Sequence, residues 1–342
     1  MHEGHAVQDR VNYMKAMNPA LAFQDFLVDV ERSLIAELGG ESVPPSQTLL
    51  TAARHLCLGG GGKRARPLLV RIFGDTVGVP PGKLVEVAAA AELIHSASLL
   101  HDDVIDAGMF RRGRPTVNAR WGNIVAVMSG DLLLSGALLR LSEVDPRLTA
   151  SALKVIGEMT RAAIAEVEAR GNLALPLACL RSIAEGKTGS LFGWCGLGAA
   201  TMGGDPRAGE CFDGFGRRLG IAFQMADDIR DVTGTDEGKP QYADIQSKTP
   251  SLPILLAVGK DARLKKRFQE AWGFPSVSAE KARELGTALL CTGALDEAVV
   301  QMEAELASAV EALGEYAQAP GGAQLVGWAR TVARGLALKG AA

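Results

Sequence analysis

Apolar positions recur every three to four residues along almost the whole chain. Leu21, Phe23, Phe26, Leu27, Val30, Leu34 and Ile35 share one helical face, which Gly39-Gly40 stops and Pro44-Pro45 follows with a loop. Residues 49–58 and 68–74 read as two further helices, and after Pro80-Pro81 a long apolar helix starts near Leu84. Residues 123–141, 148–169, 180–198 and 212–231 continue the series, and residues 234–251 form a polar loop. Pro253 opens another helix, and Val299, Met302, Leu306, Val310 and Leu313 mark an amphipathic one near the end. No alternating strand pattern of any length appears, and no shift in composition divides the chain. The pattern predicts an all-α fold, with a loose polar arm over residues 1–19 and one helical domain over residues 20–342.

Polar residues interrupt this pattern at few places. The long apolar helix ends in Leu99-Leu100-His101-Asp102-Asp103-Val104-Ile105-Asp106, and Phe223-Gln224-Met225-Ala226-Asp227-Asp228-Ile229-Arg230-Asp231 repeats its Asp-Asp-x-x-Asp core. Residues four apart share a helical face, so Asp102 lies above Asp106 and Asp227 above Asp231. Like charges at that spacing repel, and a solvated helix end explains one such run better than two. Two clusters around one cavity need cations, and carboxylate oxygens suit magnesium, which also takes waters and substrate phosphates. His95 lies seven residues before Asp102 and shares roughly its face. A lone histidine on an apolar helix is more often a core residue, but this alignment makes it a candidate.

Composition narrows the picture. Hydrophobic residues make up 47% of 342 and aromatics only 5%, a mixture that favours closely packed helices. A net charge of -3 gives no global field for nucleic acid. Cys57, Cys179, Cys195, Cys211 and Cys291 are scattered and never in a Cys-x-x-Cys pair, which argues against a disulfide framework or zinc site and for a reducing cytoplasm. The start of the chain lacks a signal-peptide pattern, and no run of about eighteen uninterrupted apolar residues predicts a membrane span.

Cationic residues gather beside the acids. Gly59 to Gly62 precede Lys63-Arg64-Ala65-Arg66-Pro67, where glycines allow close backbone approach and arginine offers a forked donor for phosphate. The run lacks the Ser or Thr that a P-loop places after its lysine. Phe110-Arg111-Arg112-Gly113-Arg114 follows the first acidic cluster, either as salt-bridge partners or as a phosphate grip. Glu185-Gly186-Lys187-Thr188-Gly189 breaks an apolar helix, and Lys239, Asp244 and Lys248 lie in the loop after the second cluster. Carboxylates alone would suit a metal store. Carboxylates interleaved with lysine and arginine, among apolar helices, suit a molecule with a diphosphate head and a hydrocarbon tail.

In these motifs the chain resembles the trans-isoprenyl diphosphate synthases, the polyprenyl synthetase family. The matching pieces, in the family's order, are Gly61 to Pro67, Glu92 to Asp106 with Arg111-Arg112-Gly113, Lys187-Thr188-Gly189, and Gly220 to Asp231 with Lys239 and Lys248. The resemblance implies a large helical bundle around a central cavity (the isoprenoid synthase fold), a homodimer, and magnesium-dependent condensation of isopentenyl diphosphate with an allylic diphosphate. It implies that Asp102, Asp106 and Asp227 bind metal directly, while Asp103, Asp228 and Asp231 act through waters or supporting hydrogen bonds. Arg111, Lys187, Lys239 and Lys248 would hold the allylic diphosphate, and Gly62, Lys63, Arg66, His95 and Arg112 the isopentenyl diphosphate. Thr188 and Gln224 would place dipoles near the developing allylic cation.

The chain departs from the family pattern at three points. Of the usual Gly-Glu-x-x-Gln only Glu166 remains, and Tyr242 and Ser247 stand where glycines are usual. For product length, Ala97 and Ser98 are small where short-chain members often carry a bulky aromatic, and Leu93 and Ile94 lie one turn deeper. This predicts a product longer than the fifteen-carbon farnesyl chain, with geranylgeranyl or farnesyl synthesis as alternatives. Readings of another class are a partner subunit of a heteromeric synthase, against which no metal ligand is missing, and a terpene cyclase, against which stand Lys63, Arg66 and His95.

Overall fold

Almost every apolar stretch forms helix in the computed structural model, which describes residues 23–39, 46–59, 62, 64–234 and 241–337. The arm over residues 1–19, Lys63 and Lys239 lie outside the described residues. In chain order the helices are α1 (Gln24–Leu38), α2 (Ser46–Cys57), α3 (Ala65–Thr76), α4 (Val85–Ile105), α5 (Val117–Trp121), α6 (Asn123–Val144), α7 (Pro146–Ala169) and α8 (Leu177–Ala184). There follow α9 (Ser190–Gly203), α10 (Pro206–Thr233), α11 (Ala243–Ser247), α12 (Leu252–Lys260), α13 (Ala262–Trp272), α14 (Ala279–Leu290), α15 (Ala294–Ala312) and α16 (Pro320–Ala337). Between α4 and α5 the chain makes one small hairpin of β1 (Phe110–Arg111) and β2 (Arg114–Pro115).

The chain resolves into two units, each drawn from separate stretches of sequence. Unit 1 comprises residues 1–153, 195–210 and 318–328, and unit 2 comprises residues 154–194, 211–317 and 329–342.

In unit 1, α4 packs along α6, with α1 and α3 also against it. Its sequence is apolar nearly all round, as a central helix requires, and Ala88 to Ala91 are fully buried beside Leu93 and Ile94. Four alanines in a row let neighbouring helices approach closely, and a larger side chain there would cost about 1–3 kcal/mol through overpacking. The salt-bridged Arg140 of α6 reaches Glu37 of α1 at 2.9 Å and also pairs with Glu86 of α4, tying the three helices together.

By length and composition α6 could cross a membrane, the only such helix among the described residues. Asp131 interrupts its apolar run, so the sequence pattern of uninterrupted apolar residues passed it over. One face of it stays exposed, with Ile124 at 81% and Leu139 at 62%, and Met128 exposed between them.

In unit 2, α12 packs on α13 and α15, and α14 packs on α11 and α13. Edge-on aromatic pairs fill the interior: Phe192 with Phe223 at 5.6 Å, Phe212 with Tyr316 at 5.3 Å, and Phe268 with Trp272 at 5.6 Å. The Asp261 carboxylate caps α13, accepting from the Arg263 and Leu264 N–H groups at 2.8 and 3.0 Å. Two local details differ from the sequence reading. The loop over residues 234–251 contains the short helix α11, and the predicted helix over 180–198 is α8 and α9 joined by one π-helical turn, Glu185–Gly189.

Candidate active site

The first acidic cluster ends α4, in unit 1. The Asp106 N–H donates to the Asp102 carbonyl at 2.8 Å, and Ala107 leaves the helix with φ of 49°. Negative charge at a helix C-terminus opposes the helix dipole, so three carboxylates here need cations to offset them. One is supplied internally. Asp103 is 5% exposed and takes a forked bond from Arg111, with Nη2 at 2.8 Å and Nε at 3.1 Å from Oδ1. Asp102 is half-buried and Asp106 exposed.

The hairpin directs the following arginines. Its two-residue turn, Arg112-Gly113, has φ of 53° and 73°, both positive as a type I′ turn demands. A Cβ at Gly62 would lie 3.2 Å from Arg112 Nη1 and 3.4 Å from Arg64 Nη1, so glycine there lets two guanidinium groups approach the main chain. His95 is half-buried, and burial, then Arg66, Arg112 and Arg111, hold its imidazole well below the ordinary range. It is therefore a neutral hydrogen-bonding group at pH 7. The structure thus gathers Gly62, Arg66, His95 and Arg112 in unit 1 and places Arg111 on Asp103. Leu93, Ile94 and Ala97 are at most 1% exposed, while Ser98 is half-buried with its hydroxyl donating to the His95 carbonyl at 2.8 Å.

The second cluster lies on the last turns of α10, in unit 2. Asp227 pairs with Arg230 at 2.5 Å. Asp228 is 8% exposed; one oxygen accepts from Gln224 Nε2 at 3.1 Å, the other from the Leu252 N–H at 3.0 Å, which caps α12. Burial pushes this carboxyl up to about 7. Asp231 accepts from the Ala243 and Asp244 N–H groups at 2.9 and 3.3 Å, and so starts α11.

Lys187 and Thr188 sit on the π-helical turn, where one extra residue widens the helix and turns both side chains. Lys187 pairs with Glu166 of α7, and the Thr188 hydroxyl donates to Gln224 Oε1 at 3.4 Å. A chain of hydrogen bonds therefore runs from Thr188 through Gln224 and Asp228 to the start of α12. Backbone contact makes this possible. Side chains at Gly216 and Gly220 of α10 would collide with the main chain at Gly193 and Gly189, so only glycine lets α10 and the turn touch. Sequence reading quoted Gly189 and Gly220 within the family motifs but missed Gly193, Gly216 and the contact itself; the spacing of four on both helical segments was the available signal.

A cavity of about 300 Å3 in unit 2 is lined by Lys187, Gln224, Asp228, Glu166, Arg181 and Glu305 among others. Lys248, expected beside Lys187, is not in this lining; its ammonium donates to the Phe274 carbonyl. Its φ of 60° turns the chain at the end of α11, and Tyr242 opens that helix at φ 64°. Tyr242 is thus strained where a glycine would be relaxed, and its ring is buried against Gly286.

Among the described residues no group of three or more His, Cys, Asp or Glu side chains could hold a metal ion by itself. The donor chemistry fits a hard cation that keeps water and substrate oxygens, since the clusters offer carboxylate oxygens only, with Asp102 half-buried and Asp106 exposed.

Residues 46–289 match the polyprenyl synthetase family. Heptaprenyl diphosphate synthase component 2 of Geobacillus stearothermophilus is 38% identical over 256 residues, 74% of this chain and 78% of that protein. A (2E,6E)-farnesyl diphosphate synthase of Mycobacterium tuberculosis is 36% identical over 232 residues, 65% of this chain and 64% of that protein. The crystal structure of a polyprenyl synthase from Caulobacter crescentus, complexed with calcium and isoprenyl diphosphate, superposes with a TM-score of 0.85 at 26% identity, covering 93% of this chain and 97% of that one.

Proposed function

As the chain belongs to the polyprenyl synthetase family and is a head-to-tail prenyltransferase, we propose that it extends an allylic diphosphate with isopentenyl diphosphate beyond fifteen carbons, using magnesium. The observation that carries the reading is the division of labour within the acidic clusters. The middle acids, Asp103 and Asp228, are buried and locked, one by Arg111 and the other by Gln224 and the Leu252 N–H, whereas the first acids, Asp102 and Asp227, are only part-buried, with Asp227 beside Arg230.

In this reading Asp102, Asp106 and Asp227 hold magnesium, which neutralises charge on the leaving diphosphate. Lys187 exchanges Glu166 for an allylic phosphate oxygen, and Arg111, Lys239 and Lys248 join it; Lys248 must first leave the Phe274 carbonyl. Thr188 and Gln224 turn oxygen lone pairs toward positive charge at the allylic carbon. Gly62, Lys63, Arg66, Arg112 and neutral His95 hold isopentenyl diphosphate with its double bond toward that carbon. The double bond attacks as the carbon–oxygen bond breaks, leaving a cation on the isopentenyl unit; the departing diphosphate takes a proton from the carbon next to that cation, and the electron pair left behind forms the new double bond. Apolar helices exclude water that would hydrolyse the cation. Small Ala97 and Ser98 beside medium Leu93 and Ile94 support a longer product.

We further assign residues 20–342 to one domain, because the two units interleave in sequence and neither is a continuous segment. A second copy covers the exposed face of α6, making a homodimer, and the site is a cytoplasmic one in keeping with five free cysteines.

Product analysis tests the function. Purified protein is incubated with isopentenyl diphosphate, farnesyl diphosphate and magnesium, and products are separated by chain length. Products beyond twenty carbons are expected. A stop at twenty would select the geranylgeranyl alternative, a stop at fifteen from a shorter starter would refute the longer product, and no elongation from any allylic starter would overturn synthesis by this chain alone. Similarity to a protein named as one component favours the second reading in that event, a subunit that needs a partner.

A further inference from the structure

We infer that Arg64 and Glu92 are positioning residues for the isopentenyl diphosphate side: a clasp that holds the start of α3 so that Arg66 and Arg112 meet the diphosphate. The inference rests on the prenyltransferase reading. Lys63, Arg64 and Arg66 put three cations in four residues, and all three would suit a phosphate. The structure separates Arg64 from that task. Its guanidinium is taken by three partners from three elements: Glu31 of α1 at 2.5 Å, Glu92 of α4 at 2.7 Å, and the Cys57 carbonyl at the end of α2 at 2.7 Å.

Its backbone has φ of 47°, a left-handed conformation that an arginine holds only when its surroundings enforce it. From there α3 begins, with the Leu68 N–H donating to the Arg64 carbonyl at 3.0 Å. The side chain therefore fixes the direction in which α3 sets out toward Arg66. Gly62 in turn lies against both Arg64 and Arg112.

Glu92 is the second half of the clasp. It is 6% exposed on an apolar helix, and such a carboxylate persists only when paired. Its negative charge acts on Arg66 and Arg112 as well as on Arg64. It thus keeps three guanidinium groups together that would otherwise repel one another.

A merely structural bolt and a positioning clasp differ in kinetics. Steady-state constants are measured for wild type, Arg64→Lys, Glu92→Gln and Glu31→Gln, varying each diphosphate with the other saturating, alongside thermal midpoints. For Arg64→Lys and Glu92→Gln we expect the KM for isopentenyl diphosphate to rise about tenfold, with kcat and the allylic KM within about threefold of wild type. Glu31→Gln removes the most exposed partner and should raise the same KM about twofold to threefold; it decides the matter if the other two do not fold. A lowered midpoint with unchanged KM, or equal losses toward both substrates, would overturn the clasp. A wild-type chain that condenses nothing would overturn the prenyltransferase reading itself.

Discussion

Within each Asp-Asp-x-x-Asp run, the first carboxylate is part-buried and the one beside it is buried. Asp102 is half-buried at a helix end, and Asp103 beside it is locked to Arg111. Asp102→Ala should therefore lower turnover by about a hundredfold or more, with unchanged helical circular dichroism and little change in thermal midpoint. Asp228→Ala should do something different. It removes the cap of α12 and leaves Gln224 without its acceptor, so urea denaturation should show a loss of about 1–3 kcal/mol. The sequence revealed both triplets and the helical face they share. It held no sign of which oxygen meets which N–H, because the partners Leu252, Ala243 and Asp244 are main-chain groups that any residue type supplies. His95 was legible by its register with Asp102, but its protonation state was not, since that depends on burial and on Arg66 and Arg112. A histidine held below its unfolded pKa takes a proton only on unfolding, so its contribution is present above about pH 6.5 and lost as pH falls. Thermal midpoints of substrate-free protein at pH 7 and pH 5 should differ less in His95→Gln than in wild type.

At the scale of elements, the site depends on places where regular geometry is broken. The π-helical turn carries Lys187 and Thr188, the type I′ hairpin carries Arg111 and Arg112, and left-handed residues flank α11. The polar break at 185–189 was visible in the sequence, whereas a hairpin of two-residue strands is too short to alternate and Tyr242 masks a turn that glycine would have advertised. The glycine contact of α10 with the π-helical turn is the most exacting of these. Gly220→Ala would set a methyl group against the main chain at Gly189, where nothing flexible can move aside. A loss of about 2–3 kcal/mol in stability is expected, with a fall in turnover, because Thr188 would be driven from Gln224. Chemical denaturation and single-turnover rates measure the two effects separately.

At the scale of the molecule, helical periodicity gave away the all-α class but not the two interleaved units, since no composition marks where one helix passes between them. The exposed face of α6 makes its own prediction. Ile124→Glu with Leu139→Glu should leave the thermal midpoint of the protomer nearly unchanged and halve the mass seen by light scattering, if a second copy covers that face. Interleaving also sets a timetable for birth. Unit 1 takes its last segment from residues 318–328, so its earlier segments, 1–153 and 195–210, wait on the ribosome while about a hundred more residues are made, roughly 5–20 s at ordinary rates of synthesis. Throughout that interval the end of α3 lacks the cover of α16, whose Gly321 lies against Thr76, so slower translation would lengthen the exposure of that edge rather than relieve it.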